Sequence, residues 1–229
     1  MSHYPPKELV PNYSDVLHFL GDYYACGELG VIFEEKGFPN GLVKVINQDA
    51  EDDENLVNMY QSEFFEMVWQ KKKFRGLPKL NYFWEGECEN VVKNHLTHTI
   101  LKSKSQAEVN ILGLSEGDLM SIWIMERLDK IGTDHSKPLS YTVEGVAEAA
   151  VSIWEDYGVI VEDLHEGNYG QRADGTFVIF DPMPLDDFSS QTAKLVLEDA
   201  SRDEQKQWFI NNNIWVRDVN GNPIKGKNV

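Results

Sequence analysis

The sequence predicts an α+β protein with two lobes, and three observations support this fold class. The chain has 229 residues, of which 41% are hydrophobic, and this is enough to bury a core in one domain or in two small lobes. Strand patterns dominate its first half, which carries one helical pattern, and a helix opens its second half. No internal repeat or Gly/Ser- or Pro-rich linker interrupts the chain. The order of the strands and helices suggests that the two lobes join near residues 126–130.

In the first half, hydrophobic periodicity and turn residues predict each element in order. Asp52 or Asp53 is a suitable N-cap for a helix that runs to about Lys72. The other predicted elements are a short helix at 16–20, strands within YYACGELGVIFEEKG and GLVKVI on either side of a turn cluster at 37–41, and strands at 80–84, 109–112 and 121–126.

In the second half, apolar residues recur at helical spacing over 142–157, and Gly158 is a typical residue to end this helix. A further helix is predicted near 191–209. Asn220-Gly221 is a preferred turn pair, and it predicts a hairpin close to Val229.

A second hairpin is predicted around Asp174-Gly175, taken as a two-residue turn. Counting outward from this turn places Asn168 directly opposite Asp181, with both side chains on one face. An amide oxygen beside a carboxylate is a hard-oxygen site of the kind that Mg²⁺ prefers. Asp163 precedes Asn168 by five residues on the loop that enters the hairpin, within reach of a substrate hydroxyl.

Charge and composition exclude several classes of partner and compartment. A net charge of −17 disfavours nucleic acid, whose phosphates it repels, and permits a basic protein partner. Cys26 and Cys88 form no CxxC pair, and no signal peptide or membrane-length apolar run is found. The protein is therefore expected in the cytoplasm, away from membranes, and the sequence leaves its oligomeric state open.

The segment DLHEGN at 163–168 resembles the catalytic loop of protein kinases, in which an aspartate is followed five residues later by an asparagine. It is closer to the D-x-H-x-G-N form of aminoglycoside-phosphotransferase-type kinases and of small bacteriophage kinase-like proteins. Phe180-Asp181-Pro182 stands where those kinases have the D-F-G motif. The resemblance implies that Asp163 orients or deprotonates the acceptor hydroxyl, and that Asn168 and Asp181 bind Mg²⁺.

Upstream segments resemble the nucleotide-binding parts of the same superfamily. ACGELGVI at 25–32 is similar to the glycine-rich loop, which implies that Gly27, Gly30 and Ile32 cover the ATP phosphates and the base. Leu42-Val43-Lys44 is similar to the end of V-A-I-K, and implies that Lys44 holds the α- and β-phosphates. The strand at 121–126 resembles the one that leads into the kinase hinge, with Met125 beside adenine and the backbone of Glu126–Leu128 bonded to the base.

Two glutamates of the first long helix compete to pair with Lys44. At about 100° per residue, Glu63 falls within the apolar arc of the helix and Glu66 falls just outside it. A carboxylate on a buried face needs a cationic partner, so Glu63 is the expected partner of Lys44.

The resemblance implies a two-lobed protein-kinase-like fold, with an antiparallel-sheet N-lobe over 1–127 and a reduced, mostly helical C-lobe over 128–229. It implies an ATP-dependent kinase of phage type that phosphorylates Ser/Thr of host proteins in the host cytoplasm. Two alternatives remain open: a non-catalytic kinase-like protein whose acidic surface inhibits a basic partner, and a small-molecule kinase of aminoglycoside type. The chain departs from the family at Leu42, Val161 and Pro182-Met183, and the last departure implies a fixed metal site.

Overall fold

The computed structural model describes residues 17–26, 30–49, 54–103, 113–185 and 187–229. They form an α+β protein that combines a five-stranded antiparallel sheet with five helices. The chain clusters into two compact units. Among the described residues, the first unit contains those up to Lys72 and those of Lys79–Arg127, and the second contains those of Lys73–Pro78 and Leu128–Val229.

The first unit is built on one antiparallel sheet with strand order β1-β2-β3-β5-β4. Its strands are β1 (Leu20–Cys26), β2 (Val31–Glu35), β3 (Gly41–Asn47), β4 (Leu80–Glu87) and β5 (Leu119–Glu126). The strands expected around the turn cluster, at 80–84 and at 121–126, are therefore confirmed. Residues 17–19 form a turn before β1, so the short helix expected at 16–20 is wrong for the described residues.

One helix packs on each face of this sheet: α1 (Glu54–Lys71) and α2 (Asn90–Ser103). The face that carries Val43, Val45 and Ile122 shares a buried cluster with Val92 and other residues of α2. On the opposite face, residues of α1 contact β3 and β5, and Phe65 stacks on Trp123 with ring centroids 4.1 Å apart. The described residues of the first half thus contain two helices, α1 and α2, where the sequence predicted one long helix.

The missed helix α2 has a narrow apolar stripe. Val92, Leu96 and Ile100 are fully buried at i, i+4 and i+8, whereas its other positions are mainly polar. The strand expected at 109–112 and the caps Asp52 and Asp53 lie outside the described residues.

The second unit combines three helices with short strand pairs. The helices are α3 (Leu139–Tyr157), α4 (Asp187–Glu198) and α5 (Arg202–Asn212), and a 3-10 turn lies at Gly226–Asn228. The strands are β6 (Lys130–Ile131), β7 (Val161–Glu162), β8 (Tyr169–Gln171), β9 (Phe177–Ile179), β10 (Met183–Pro184), β11 (Trp215–Arg217) and β12 (Pro223–Lys225). In the part of the chain that the structure describes, no helix has the length and apolar character needed to cross a bilayer.

The helix expected at 142–157 is confirmed as α3, and Gly158 ends it in the left-handed conformation with φ 68°. The hairpin at Asn220-Gly221 is also confirmed, since β11 and β12 pair antiparallel. The single helix expected near 191–209 is wrong: the chain breaks it into α4 and α5. Ser201 caps α5 by accepting a hydrogen bond from the Glu204 N–H, and Glu204 bonds back to the Ser201 N–H. This capping box starts a new helix where periodicity alone suggests continuity.

The hairpin around Asp174-Gly175 has a register one residue away from the expected one. Tyr169 pairs with Ile179, so Asn168 lies opposite Phe180, not Asp181. Arg172 donates its N–H to the Thr176 carbonyl (3.0 Å), which leaves a three-residue loop that ends at Gly175 with φ 85°. This is the other common hairpin geometry, in which a left-handed glycine closes the turn.

The segment Lys73–Pro78 is attached to α3 by ion pairs and a phenol. Arg75 donates to both carboxylate oxygens of Asp156 at 2.9 and 2.8 Å, and Lys73 bonds the same carboxylate at 3.1 Å. The Tyr157 hydroxyl donates to the Lys73 carbonyl, and burial raises the pKa of Tyr157 to about 12, so this donor keeps its proton at neutral pH.

Asp156→Asn is expected to destabilise the protein near neutral pH, because it weakens the ion pair with Arg75. The loss should be only about 1 kcal/mol, because Arg75 is half exposed and solvent screens the pair. The Arg75 hydrogen bonds hold the pKa of Asp156 below its usual value. A carboxyl with a lowered folded-state pKa contributes stability above its unfolded pKa of about 3.9 and loses it as the pH falls through the folded value. Urea unfolding of both proteins should show a difference at neutral pH that shrinks in acid. A difference independent of pH would contradict this cause.

Candidate functional site

The loop between β7 and β8 places Asp163 on a left-handed turn. Asp163 has φ 53°, and among the described residues Lys72 is the other non-glycine with positive φ. Aspartate tolerates this conformation better than most residues do, and such backbones often occur at functional sites. The next residue, Leu164, is buried and holds the loop in place. Its carbonyl accepts a hydrogen bond from the Trp215 N–H (2.9 Å), and its N–H donates to the Asn213 carbonyl (3.3 Å).

The two oxygens of the Asp163 carboxylate have different surroundings. Oδ2 accepts a hydrogen bond from Asn168 Nδ2 at 3.2 Å, and it lies 3.3 Å from Nε2 of His165. No described residue donates to Oδ1. About 45% of the Asp163 side chain is exposed to solvent, so a hydroxyl can approach this side chain.

Asn168, one of the two predicted metal ligands, contacts both Asp163 and the backbone of Asp181. Its Nδ2 also donates to the Asp163 carbonyl at 2.9 Å, so the side-chain oxygen Oδ1 points away from Asp163, and it accepts no bond from the described residues. The backbone carbonyl of Asn168 accepts from the N–H groups of Phe180 (2.9 Å) and Asp181 (3.3 Å). Although the register is shifted, Asn168 and Asp181 are therefore neighbours.

The side chains of Asn168 and Asp181 are of the types that bind a magnesium ion. Asn168 offers an amide oxygen and half-buried Asp181 offers a carboxylate, and Mg²⁺ takes few protein ligands of this type beside water and phosphate oxygens. The described residues contain no group of three or more His, Cys, Asp and Glu side chains placed to bind a metal ion. The fit therefore rests on the mixed amide and carboxylate pair.

The segment after Asp181 is fixed by hydrogen bonds. Met183 and Pro184 pair with Glu162 and Val161, and Leu185 donates its N–H to the Ile160 carbonyl at 2.8 Å. Val161, which stands where the resembled kinases have a histidine, is fully buried in this pair of strands. Asp163 and Asp181 thus flank one short antiparallel ladder.

In the first unit, Lys44 lies in the middle of the sheet and is 2% exposed. It pairs with Ile32 on one side and with Trp123 on the other, so the three side chains share the face that packs on α1. The ammonium group lies 5.2 Å from the Trp123 ring centroid and 3.4 Å from Oε1 of Gln61. A lysine buried in this way is held in a defined position.

The expectation that Glu63 lies on the buried face of α1 is wrong, because Glu63 is exposed. Polar contacts set the rotation of the helix instead: Ser62 bonds Ser121 (2.5 Å) and Asn58 bonds the Asn47 carbonyl (2.9 Å). These contacts turn Gln61, rather than Glu63, toward Lys44. Apolar periodicity gives no signal for Gln61, because it takes only apolar residues to define the buried face of a helix.

Of the predicted glycine-rich loop, Gly27 lies outside the described residues and Gly30 immediately precedes β2. A Cβ at Gly30 would lie 2.6 Å from the Val45 carbonyl oxygen. Glycine is therefore required there by the close approach to β3, whether or not a phosphate is bound. Ile32 follows in β2 and is half buried.

The predicted base-binding stretch is partly engaged by the protein itself. Met125 is buried and pairs with Leu42. Glu126 donates its N–H to the Lys79 carbonyl (3.0 Å), and Arg127 donates to Asn40 (2.8 Å). The N–H of Leu128 has no partner among the described residues, so it is the donor in this stretch that a base would use.

Several of these contacts have no clear signal in the sequence. The anchoring of Leu164 by Asn213 and Trp215 joins distant parts of the chain, and no spacing rule predicts it.

A comparison with models of known protein families finds no match, and a search of curated proteins finds no similar one.

Proposed function

We propose that this chain is an ATP-dependent phosphotransferase with a protein-kinase-like fold, and that it transfers the γ-phosphoryl group to a Ser or Thr hydroxyl of a protein. The observation that carries the proposal is the Asp163 carboxylate. One of its oxygens is held by Asn168 and lies next to His165, while the other is unbonded among the described residues, on a side chain that is about 45% exposed. This arrangement suits a group that orients a hydroxyl and accepts its proton.

Each side chain has a distinct task in the proposed reaction. Asp163 aligns the acceptor oxygen with phosphorus and takes its proton, and Asn168 holds Asp163 in place. Lys44, fixed between Trp123 and Gln61, attracts the α- and β-phosphates. Asn168 and Asp181 would hold a Mg²⁺ ion, which would neutralise charge at the phosphates. Most of the rate acceleration then comes from positioning and electrostatics.

The choice of a protein acceptor rests on the resemblance to phage-type kinases and on charge. A net charge of −17 attracts a basic protein and raises the rate at which the two meet. The same charge repels nucleic acid. We place this activity in the cytoplasm, which is the host cytoplasm if a phage encodes the chain.

Asp181→Asn tests this function. Purified wild type and variant are incubated with labelled ATP, Mg²⁺ and a cell extract, and labelled proteins are separated by gel electrophoresis. The variant is expected to lose transfer by on the order of 100-fold, because a neutral amide binds the metal and its phosphates poorly. Its urea midpoint should stay close to that of wild type. Asp199→Asn, an exposed change of the same kind, should retain wild-type transfer.

A second candidate function is favoured by the same net charge. A kinase-like scaffold with an acidic surface can inhibit a basic partner without any transfer of phosphate. If wild type and Asp181→Asn label proteins equally weakly, the phosphotransferase proposal fails. A basic partner that binds both proteins equally well in a pull-down would then support the scaffold.

A further inference from the structure

His165 is contacted at both nitrogens of its imidazole ring. The N–H of Gly167 donates to Nδ1 at 2.9 Å, so Nδ1 carries no proton. In the neutral ring the proton is therefore on Nε2. Nε2, which carries that proton, lies 3.3 Å from Oδ2 of Asp163.

The backbone around the ring keeps it in this place. The His165 N–H donates to the Asp163 carbonyl (2.9 Å), and the His165 carbonyl accepts from the N–H of Asn168 (2.9 Å). A Cβ at Gly167 would lie 2.7 Å from Cε1 and 3.0 Å from Nδ1 of His165. The absence of a side chain at Gly167 therefore leaves room for the His165 ring to approach the Gly167 N–H.

We propose that His165 is a positioning residue for Asp163, and that it selects Oδ1 as the oxygen that accepts the substrate proton. Asn168 bonds Oδ2 at 3.2 Å and the Nε2–H of His165 lies 3.3 Å from the same oxygen, so rotation of the carboxylate breaks both contacts. This inference rests on the proposed phosphotransfer. In that step the hydroxyl O–H bond breaks and its proton passes to Oδ1. The hydroxyl oxygen bonds to the γ-phosphorus as the bond from that phosphorus to the bridging oxygen breaks, and ADP leaves.

A pair of substitutions separates this role from a structural one. His165→Leu removes the donor, and we expect kcat to fall on the order of 10- to 100-fold, as for a misplaced catalytic group, with the KM for ATP changed less than about 2-fold. His165→Gln keeps a neutral N–H donor and should recover most of the lost kcat. His135→Leu, which removes an exposed histidine of the same unit, should behave as wild type.

Nitrogen-15 NMR of the histidine rings provides a readout that does not depend on activity. Wild type should show His165 as the Nε2–H form when the ring is neutral, and Gly167→Ala should change this signal together with a fall in kcat. A His165 ring protonated on Nδ1 alone would overturn the proposal, and so would wild-type kcat in His165→Leu. If wild type transfers no phosphate, the proposed function fails, and the proposed role of His165 in catalysis fails as well. The NMR signal still reports whether the His165 ring accepts the Gly167 hydrogen bond at Nδ1.

Discussion

Asp163→Asn is expected to lower kcat for phosphotransfer by about 10²- to 10⁴-fold, the contribution of a well-placed general base. The amide keeps the shape of the side chain but accepts a proton far less readily than the carboxylate. Asparagine also tolerates a left-handed backbone, so the φ of 53° at this position adds little strain. The variant should therefore fold normally and bind ATP with nearly unchanged affinity.

Steady-state kinetics, ATP titration and urea unfolding check these three expectations. Asp199→Asn again provides the matched control, since it makes the same change at an exposed position. A variant that keeps more than about a third of the wild-type kcat would show that Asp163 is not the base. Loss of ATP affinity in step with kcat would instead point to a role in nucleotide binding.

Gly76→Ala is expected to destabilise the protein by about 2–5 kcal/mol, through backbone strain and overpacking together. Gly76 has φ 71°, and a Cβ there would lie 2.2 Å from the Ala149 carbonyl oxygen of α3. The obstacle is helix backbone, which cannot rotate aside. The Gly76 carbonyl also accepts the Ile179 N–H at 2.8 Å, so any shift of the segment disturbs the hairpin that carries Asn168.

Gly158→Ala is the matched control, because Gly158 has nearly the same φ of 68°, while a Cβ added there would meet no atom within 4 Å. It should cost only the strain of a left-handed alanine, about 1–2 kcal/mol. The free energy of unfolding in urea measures both losses. Equal losses in the two variants would show that the approach of Gly76 to α3 is not tight.

The hairpin shows how far local sequence rules reach. Asp174-Gly175 identified the turn, and the strands on either side followed from it, but the pair is compatible with both a two-residue and a three-residue loop. The Thr176 N–H bonds the Asp174 side chain at 2.9 Å, and this local bond accompanies the longer loop. The register therefore moves by one residue. The adjacency of Asn168 and Asp181 nevertheless remains, because one carbonyl accepts both N–H groups at that end.

The helix α1 shows where periodicity fails. Apolar positions placed Glu63 on the inner face, yet Asn58, Gln61 and Ser62 are buried there and each meets a polar group of the sheet. A polar residue with a partner is as suitable for burial as an apolar one. The partners come from β3 and β5, far along the chain, so the sequence of the helix cannot reveal them.

The attachment of Lys73–Pro78 to α3 has a practical consequence for anyone who wishes to study the halves separately. A fragment that ends at Arg127 keeps Arg75 but loses Asp156, and a fragment that begins at Leu128 loses the Gly76 carbonyl to which Ile179 donates. A single cut therefore separates residues of each fragment from their partners on the other fragment. Expressed alone, both should be prone to aggregation, whereas the two together form a natural pair for fragment complementation.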